Sequence, residues 1–578
     1  MHTLFGIDLG TTNSCISRLK EGIPEVLSIQ GSPLVPSVVS FDPQETIIGS
    51  RARNRAVLHP EITVNSVKRV MGSDDTFTIR DQTYTPEEIS SFILSYLKNQ
   101  AEEVTGEEVK NVVITVPAYF SDAQRRATQK AGQLAGLHVE RIINEPTAAA
   151  LFYTHTLITQ ETVQEEKKVL VYDLGGGTFD VSVLRMGELT EVLASSGNTE
   201  LGGDDFDQML MNALLDEIMS GYGVDLRSHR PALARLKSVA EQAKITLSAH
   251  PFARIDENLI PNPENKSINL SQEVSREAFE DMIAPFLRTT KTEVDNALSE
   301  AGISAQDIDH VLLVGGSTRI PAVISLLEEE FGASRMPVVD PDLSVAKGAA
   351  IQGGIITGTH IHQVLIDVTP HTLSTKALTD DLQLKCVPII SRNTQIPVTR
   401  SEIFYTVQDE QRLVKVSVYQ GESNEPEENA LIGAIDLALA PAPESSPILI
   451  EYSYDLNGII NVKVEQKGYS RKREVDLDSS KRDQLFLELD ENDTTDLDAW
   501  EDEDNLDEHK EGNRKITNYI LHKARTALDN LGDPAQRNTL QSLITDYEQA
   551  LQREDEDEVD EAEENLVDYL DELESKGE

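Results

Sequence analysis

The sequence predicts an α/β unit, then a small antiparallel β-sandwich, then a short helical segment, and three observations carry that reading. Residues 1 to about 360 alternate short apolar strands with amphipathic helices, the pattern of α/β architecture. From Val368 to about Leu477 the pattern changes to alternation with a period of two. Within the first region one loop signature occurs twice, as Asp8-Leu9-Gly10-Thr11-Thr12 and as Asp173-Leu174-Gly175-Gly176-Gly177-Thr178.

Each copy of the signature follows a short apolar run, Leu4–Ile7 and Val169–Tyr172. An aspartate at the end of a strand can hold the water shell of a Mg²⁺ ion. Glycines let backbone N–H groups approach phosphate oxygens, and threonine hydroxyls add donors. One copy is weak evidence, because Asp-Leu-Gly also makes an ordinary strand-ending turn. Two copies point to two related lobes closing on one nucleotide. Between and beyond them, Asn111–Val116 reads as a buried strand ending at Pro117, and Ser121–Gly136 reads as a helix. Ser121 caps that helix, and Gly132 and Gly136 mark its end. Val311–Val314 is a further strand, running into Gly315-Gly316-Ser317-Thr318-Arg319.

Composition shifts near residue 360. Polar His360–Gln363 is followed by Val364-Leu365-Ile366 and then Asp367-Val368-Thr369-Pro370. An apolar patch between polar flanks seeks a surface, so this stretch is expected to dock on a lobe in one state and come free in another. Leu413–Val418 and Ile460–Val464 alternate apolar with polar positions, the second after a Leu456-Asn457-Gly458 turn. Asn513–Leu531, Ala535–Leu551 and Asp555–Glu574 read as helices, with Gly532-Asp533-Pro534 separating the first two.

At 578 residues the chain has room for two to four domains. No apolar run reaches the roughly 18–20 residues needed to cross a bilayer, and the N-terminus does not read as a secretory signal. The two cysteines, Cys15 and Cys386, form no disulfide framework, and the twelve histidines show no zinc spacing, so a cytoplasmic location is expected. Net charge is −49, which argues against nucleic acid or an anionic membrane as a direct partner. The excess concentrates in Asp483–Glu511 and Glu554–Glu578, each with fourteen acidic residues and one lysine. A solvated, solubilising surface and a specific basic partner both remain open for these runs.

In this order the pieces resemble the DnaK-type (seventy-kilodalton heat-shock) chaperones over nearly the whole chain. The resemblance rests on Gly6–Ser14, Ile114–Phe120, Ile142–Ala150, Val171–Asp180 and Val314–Arg319, and the shortened C-terminal part is most similar to the HscC branch. It implies an actin-like (ribonuclease-H-type) two-lobed ATPase domain over 1–360 and an interdomain linker over 361–367. It further implies a β-sandwich substrate-binding domain over 368–478, an acidic connecting segment over 479–512 and a short helical lid over 513–578. The implied activity is ATP hydrolysis coupled to capture and release of extended client polypeptides, with ATP/ADP and Mg²⁺ as ligands and K⁺ as a further candidate.

The resemblance also assigns residues. Asp8, Glu145, Asp173 and Asp180 match the acids that organise Mg²⁺, cations and the attacking water, with Asp8, Asp173 and Asp180 nearest the metal. Four carboxylates around a triphosphate would repel it without metal ions between them. Lys68 matches the lysine that positions the water. Thr11, Thr12 and Thr178, beside Gly10, Gly175, Gly176 and Gly177, match the phosphate contacts. Gly315, Gly316, Ser317, Arg319 and Asp342 match the adenosine side, with Glu241, Lys244 and Ser248 on one helical face. The family's frequent arginine beside that lysine is Ile245 here. Pro117, Arg125, Arg141 and Asp367 match coupling residues, Arg141 as a contact for a J-domain co-chaperone. Phe404, Val407, Val414 and Val416 match residues at the peptide channel, although alternation alone reads Val414 and Val416 as core.

Several departures limit the match. His371–Leu378 is more polar than the family's usual run and is followed by a polar insertion, Thr379–Lys385, so a less apolar groove with narrower clients is expected. A segment that helps to engage the nucleotide-exchange factor is missing between Gly72 and Thr85, which leaves the need for that factor open. The lid is short, and no Glu-Glu-Val-Asp terminus follows. A small-molecule kinase of the same fold, a filament former and an uncoupled client holder stand as alternatives.

Overall fold

The computed structural model describes residues 3–159, 166–187, 189–258, 260, 268–359, 364–379 and 383–477. Near the C-terminus it describes residues 521, 524, 525, 528, 534–553, 559, 562, 565–567, 569 and 570. The chain divides into two compact units. The first comprises Met1–Pro370 with Asn393–Ile396 and Leu456–Ile459, and the second comprises His371–Arg392, Pro397–Asp455 and Ile460–Glu578.

Two six-stranded sheets organise the first unit, and their centres are built alike. In one, Phe5–Leu9 pairs parallel with Asn111–Val116 and antiparallel with Asn13–Lys20. In the other, Lys167–Leu174 pairs parallel with His310–Val314 and antiparallel with Phe179–Met186. Each duplicated loop is therefore the turn of a hairpin whose first strand has a parallel neighbour. The central strands are covered on both faces, which is why they read as nearly continuous apolar runs rather than alternating ones. Phe5, Ile7, Val112, Ile114, Leu170 and Val171 are all fully buried.

The helix after Asn111–Val116 runs Asp122–Leu134. Ser121 accepts from the Gln124 backbone N–H while the Gln124 side chain reaches back, a full capping box. Gly136 closes the helix in the left-handed region, as expected. Gly132 does not: it lies inside the helix, where a Cβ would come 2.4 Å from Val139 Cγ2, so its role is close packing on the neighbouring strand. Closer still is the crossing of Glu145–Thr159 with Ser344–Ile356. A Cβ on Gly348 would stand 1.8 Å from the Ala148 carbonyl oxygen, and Ala148, Ala149, Ala349 and Ala350 are all buried around it.

The apolar patch before Asp367 is a strand here. Val364–Val368 pairs parallel with Leu189–Asn198, joining Leu189 to Val364 and Glu191 to Ile366, and Gln395–Ile396 pairs on its other edge. His360–Gln363 lies outside the described residues.

The second unit holds two four-stranded antiparallel sheets. One runs Leu384–Ile390, Leu373–Leu378, Leu413–Gln420, Ala430–Ala438, and the other Val398–Tyr405, Pro447–Tyr454, Ile460–Gln466, Arg471–Asp476. The alternation read from the sequence becomes alternate burial: Ile460, Val462 and Val464 are fully buried and Asn461 and Lys463 are not. The expected helix Ala535–Leu551 lies within Pro534–Arg553, with the proline at its first turn. Leu540, Ile544 and Tyr547 pack with Ala524, Leu528, Leu566 and Leu570, and Ile403 packs against this cluster. The other two expected helices, the acidic connecting segment and the centre of the Thr379–Lys385 insertion fall outside the described residues, apart from isolated positions.

Candidate functional site

A cleft of about 320 Å³ in the first unit collects most of the residues singled out above. Asp8, Gly10, Thr11, Thr12, Lys68, Glu145, Asp173, Gly175, Gly176 and Thr178 line it. So do Glu241, Lys244, Ser248, Gly315, Gly316, Ser317, Arg319 and Asp342. Gly177 and Asp180 are buried beside the lining rather than in it. The two loops face each other at van der Waals range: a Cβ on Gly176 would stand 1.9 Å from Thr12 Oγ1. With the Thr12 hydroxyl where it stands, only glycine fits there. Gly203 and Asp204 donate their N–H groups to the carbonyls of Gly175 and Gly176, tying the second loop to the start of the helix Gly203–Tyr222.

Four carboxylates and one ammonium meet at the strand ends. Lys68 Nζ donates to Glu145 Oε1, both side chains are buried, and the Phe120 ring centroid lies 5.7 Å from the ammonium. Asp8 Oδ1 accepts from Thr115 Oγ1 at 3.1 Å, and Asp180 Oδ1 accepts from the Tyr119 N–H at 2.9 Å. Asp173 Oδ2 is buried and has no hydrogen-bond partner among the described residues. Burial, with Glu145 adding repulsion, pushes both the Asp8 and Asp180 carboxyls up to about 7. Burial and then Glu145, Asp180 and Asp8 raise Asp173 well above the ordinary carboxylate range. One lysine cannot neutralise this group, so the cluster calls for a further cation.

An all-oxygen donor set with one buried orphan oxygen suits a hard divalent ion. Among the described residues no three acidic, histidine or cysteine groups converge into a protein cage. Mg²⁺ ordinarily keeps several waters and shares its shell with phosphate oxygens.

Glu241, Lys244 and Ser248 join the lining from the helix Arg230–Ala249. Lys244 Nζ donates to Asp207 Oδ2 at 2.8 Å and to the Gly203 carbonyl at 2.9 Å. Burial pushes Asp207 up to about 6, against the pull of Lys244. Ser317 Oγ donates to the Gly175 carbonyl, and Arg319 pairs with Asp342 at 2.7 Å. Ile245 lines the cleft and is half exposed, so it offers the cleft an apolar surface.

A buried polar chain leaves the carboxylates in the direction of Asp367. Tyr119, which holds Asp180, follows Ala118, whose carbonyl accepts from Arg125 Nη2 at 3.1 Å. Arg125 Nη2 also donates to Asn144 Oδ1 at 2.7 Å, and Asn144 Nδ2 donates to Asp367 Oδ2 at 2.9 Å. Thr147 Oγ1 donates to the same oxygen, and the Val368 N–H donates to Asp367 Oδ1. Pro117 is buried at the turn that starts this chain, and Arg141 is half-buried on the strand His138–Asn144.

The four residues expected at a peptide channel are not alike. Val407 is exposed, Phe404 and Val414 are half-buried, and Val416 is 1% exposed, paired with Ile435 inside its sheet. Sequence reasoning missed Asn13, Arg53 and Asp204 in the cleft lining and Asn144 and Thr147 in the polar chain. Arg53 pairs with Glu241, a partner 188 positions away that no local pattern announces. Asn144 and Thr147 flank Glu145 within an apolar-looking strand-to-helix turn, and adjacency to that glutamate was the available signal.

A family model described as "Hsp70 protein" matches residues 4–577. The chain is 45% identical over 481 residues to the proteins named "Chaperone protein DnaK" of Thermotoga petrophila and Thermotoga maritima, covering 81% of this chain and 79% of each relative. The corresponding protein of Thermotoga neapolitana is equally similar. With the duplicated phosphate loops and the carboxylate–lysine cluster in place, the chain belongs to the Hsp70 family and is an ATP-hydrolysing, ATP-dependent molecular chaperone.

Proposed function

We propose that this chain is a shortened, HscC-like chaperone whose actin-like ATPase domain (1–360) governs an extended-peptide site in a β-sandwich domain (368–478). The linker (361–367) joins them, and an acidic connector (479–512) and a short lid (513–578) follow. The observation that carries this reading is the buried chain Asp180–Tyr119–Ala118–Arg125–Asn144–Asp367, which joins the carboxylate cluster to the aspartate of the linker strand. Buried polar chains are costly unless complete, so a state that frees Asp367 must rearrange Asn144 and Thr147 beside Glu145.

Lys68 and Glu145 orient the attacking water and hold positive charge near the γ-phosphate, and Thr178 supplies a hydroxyl at the second loop. Thr11 and Thr12 do the same at the first. Mg²⁺ bound near Asp8, Asp173 and Asp180 supplies charge neutralisation at the phosphates, and K⁺ is a candidate for a neighbouring cation. Glu241, Lys244, Ser248, Arg319 and Asp342 orient the adenosine. Arg141 contacts a J-domain co-chaperone, and Phe404, Val407, Val414 and Val416 border the client. Among the described residues no helix is long and apolar enough to cross a membrane; a cytoplasmic location is part of the proposal.

Coupling demands that ATP and peptide change each other's affinity reciprocally. The test is the release rate of a fluorescent extended peptide with and without Mg·ATP, in the native chain and in Asp367→Asn. ATP is expected to accelerate release from the native chain, and Asp367→Asn to lose that acceleration while still hydrolysing ATP. An ATP-insensitive release rate in the native chain would sink the coupled reading in favour of a client holder.

A further inference from the structure

Ser66 is one of the few non-glycine residues in the left-handed region, with φ 53°. It precedes the short 3₁₀ turn Val67–Val70, which carries Lys68 and Arg69. That conformation is unfavourable for a side chain with a Cβ, so something must hold it. Two contacts do. The Ser66 carbonyl accepts the Arg69 N–H at 3.1 Å, closing the turn. The Ser66 hydroxyl donates to Asp204 Oδ2 at 2.5 Å.

Asp204 sits in the first turn of the helix Gly203–Tyr222, and its own N–H is bonded to the Gly176 carbonyl of the second phosphate loop. The same Oδ2 lies 3.8 Å from Lys237 Nζ. Arg69 repeats the tie on the other side of the lysine, donating to Asp205 Oδ1 at 3.1 Å and to the Glu200 carbonyl at 2.9 Å. Lys68 is thus borne on a turn pinned at both ends to the second loop's helix, while its ammonium reaches Glu145 beside the first loop.

We infer that Ser66 is a positioning residue for ATP hydrolysis: its bond to Asp204 fixes the strained turn that aims Lys68 at Glu145. The inference rests on the reading of Lys68 as the residue that orients water and charge at the γ-phosphate. Ser66 touches neither nucleotide nor metal in this account. It acts by keeping the lysine's backbone in the one conformation from which the buried ammonium meets its carboxylate.

The experiment measures single-turnover hydrolysis and ATP affinity in the full chain for Ser66→Ala, Ser66→Gly, Ser66→Asn and, as a control on the underlying reading, Lys68→Ala. Ser66→Ala is expected to slow hydrolysis about tenfold, the scale of one hydrogen bond to a charged group, with ATP affinity held within about twofold. Ser66→Gly adopts positive φ freely but lacks the hydroxyl, so it should be equally slow, which separates the tie from the backbone strain. Ser66→Asn tolerates the left-handed region and carries an amide donor, so it should recover most of the rate. Native hydrolysis in Ser66→Ala and Ser66→Gly, or failure of Ser66→Asn to recover, overturns the inference. Native hydrolysis in Lys68→Ala overturns the reading of the site beneath it.

Discussion

Asp8 and Asp173 end equivalent central strands, yet the sheet around them treats their carboxylates in opposite ways. In the first sheet the residue opposite Asp8 on the parallel neighbour is Thr115, whose hydroxyl donates to it. In the second sheet the residue opposite Asp173 is Val314, which has nothing to donate. On the antiparallel side Asp8 faces Cys15, a small buried thiol, while Asp173 faces Asp180, a second carboxylate. One carboxylate is given a hydroxyl donor by its own sheet, and the other keeps a buried oxygen without one among the described residues. Duplicated architecture does not imply duplicated roles.

The largest consequence concerns Asp173. Leaving a buried charge without a partner costs stability that an added cation returns. On the proposed reading, in which Asp173 stands where metal and phosphates meet, Asp173→Asn should reduce Mg·ATP hydrolysis at least about 100-fold. The same change should raise the thermal midpoint of the nucleotide-free protein and abolish the further rise that Mg·ATP gives the native chain. Asp8→Asn keeps an oxygen to accept from Thr115 and should gain far less stability. Equal midpoint shifts in the two variants would erase the asymmetry.

The loop glycines should separate in the same way, with a smaller effect. A Cβ on Gly10 would meet the backbone carbonyl of Asn13 at 2.1 Å, inside its own hairpin. A Cβ on Gly176 would meet the Thr12 hydroxyl of the opposite loop, an atom that can turn away. Gly10→Ala is therefore expected to destabilise the protein by about 1–3 kcal/mol, the scale of overpacking against fixed backbone. Gly176→Ala should leave unfolding nearly unchanged and weaken nucleotide binding, since Thr12 must leave its place. Calorimetric unfolding alongside nucleotide titration of both variants checks the split, and a stability loss confined to Gly176→Ala would reverse it.

What could be read from the sequence, and what could not, follows from the range of each interaction. Phosphate loops were legible because close backbone approach demands glycine and a donor set within six residues. Ser121 was legible because a capping box closes within four. The Arg53–Glu241 pair, the Ser66–Asp204 bond and the approach of Gly348 to Ala148 join distant segments and leave no local trace. Gly132 shows the converse error, a true local signal with the wrong cause: it resembled a helix end and is a packing contact. In the second unit alternation alone reads Val416 as core, and it is buried; its grouping with Val407, which is exposed, came from the resemblance and not from any local period.

The asymmetry should also be readable by pH, as the smallest of these effects. Asp8 and Asp180 stand near 7 in the folded, nucleotide-free protein, raised chiefly by burial, against an ordinary value of 3.8. A carboxyl whose folded value is raised takes up its proton in the folded chain before the unfolded one does. Stability is therefore lowest above pH 7 and rises as pH falls through 7, the reverse of a salt-bridged acid. Between pH 8 and pH 6, without nucleotide and with metal chelated, the thermal midpoint should rise; Mg·ADP, which needs these groups ionised, should flatten or invert that slope. Thr115→Val removes the donor that steadies ionised Asp8, so the slope should steepen. Val314→Thr offers Asp173 the hydroxyl that its counterpart has and should make the slope shallower. If both substitutions leave the slope unaltered, the two neighbours do not set the difference between the loops, and burial alone does.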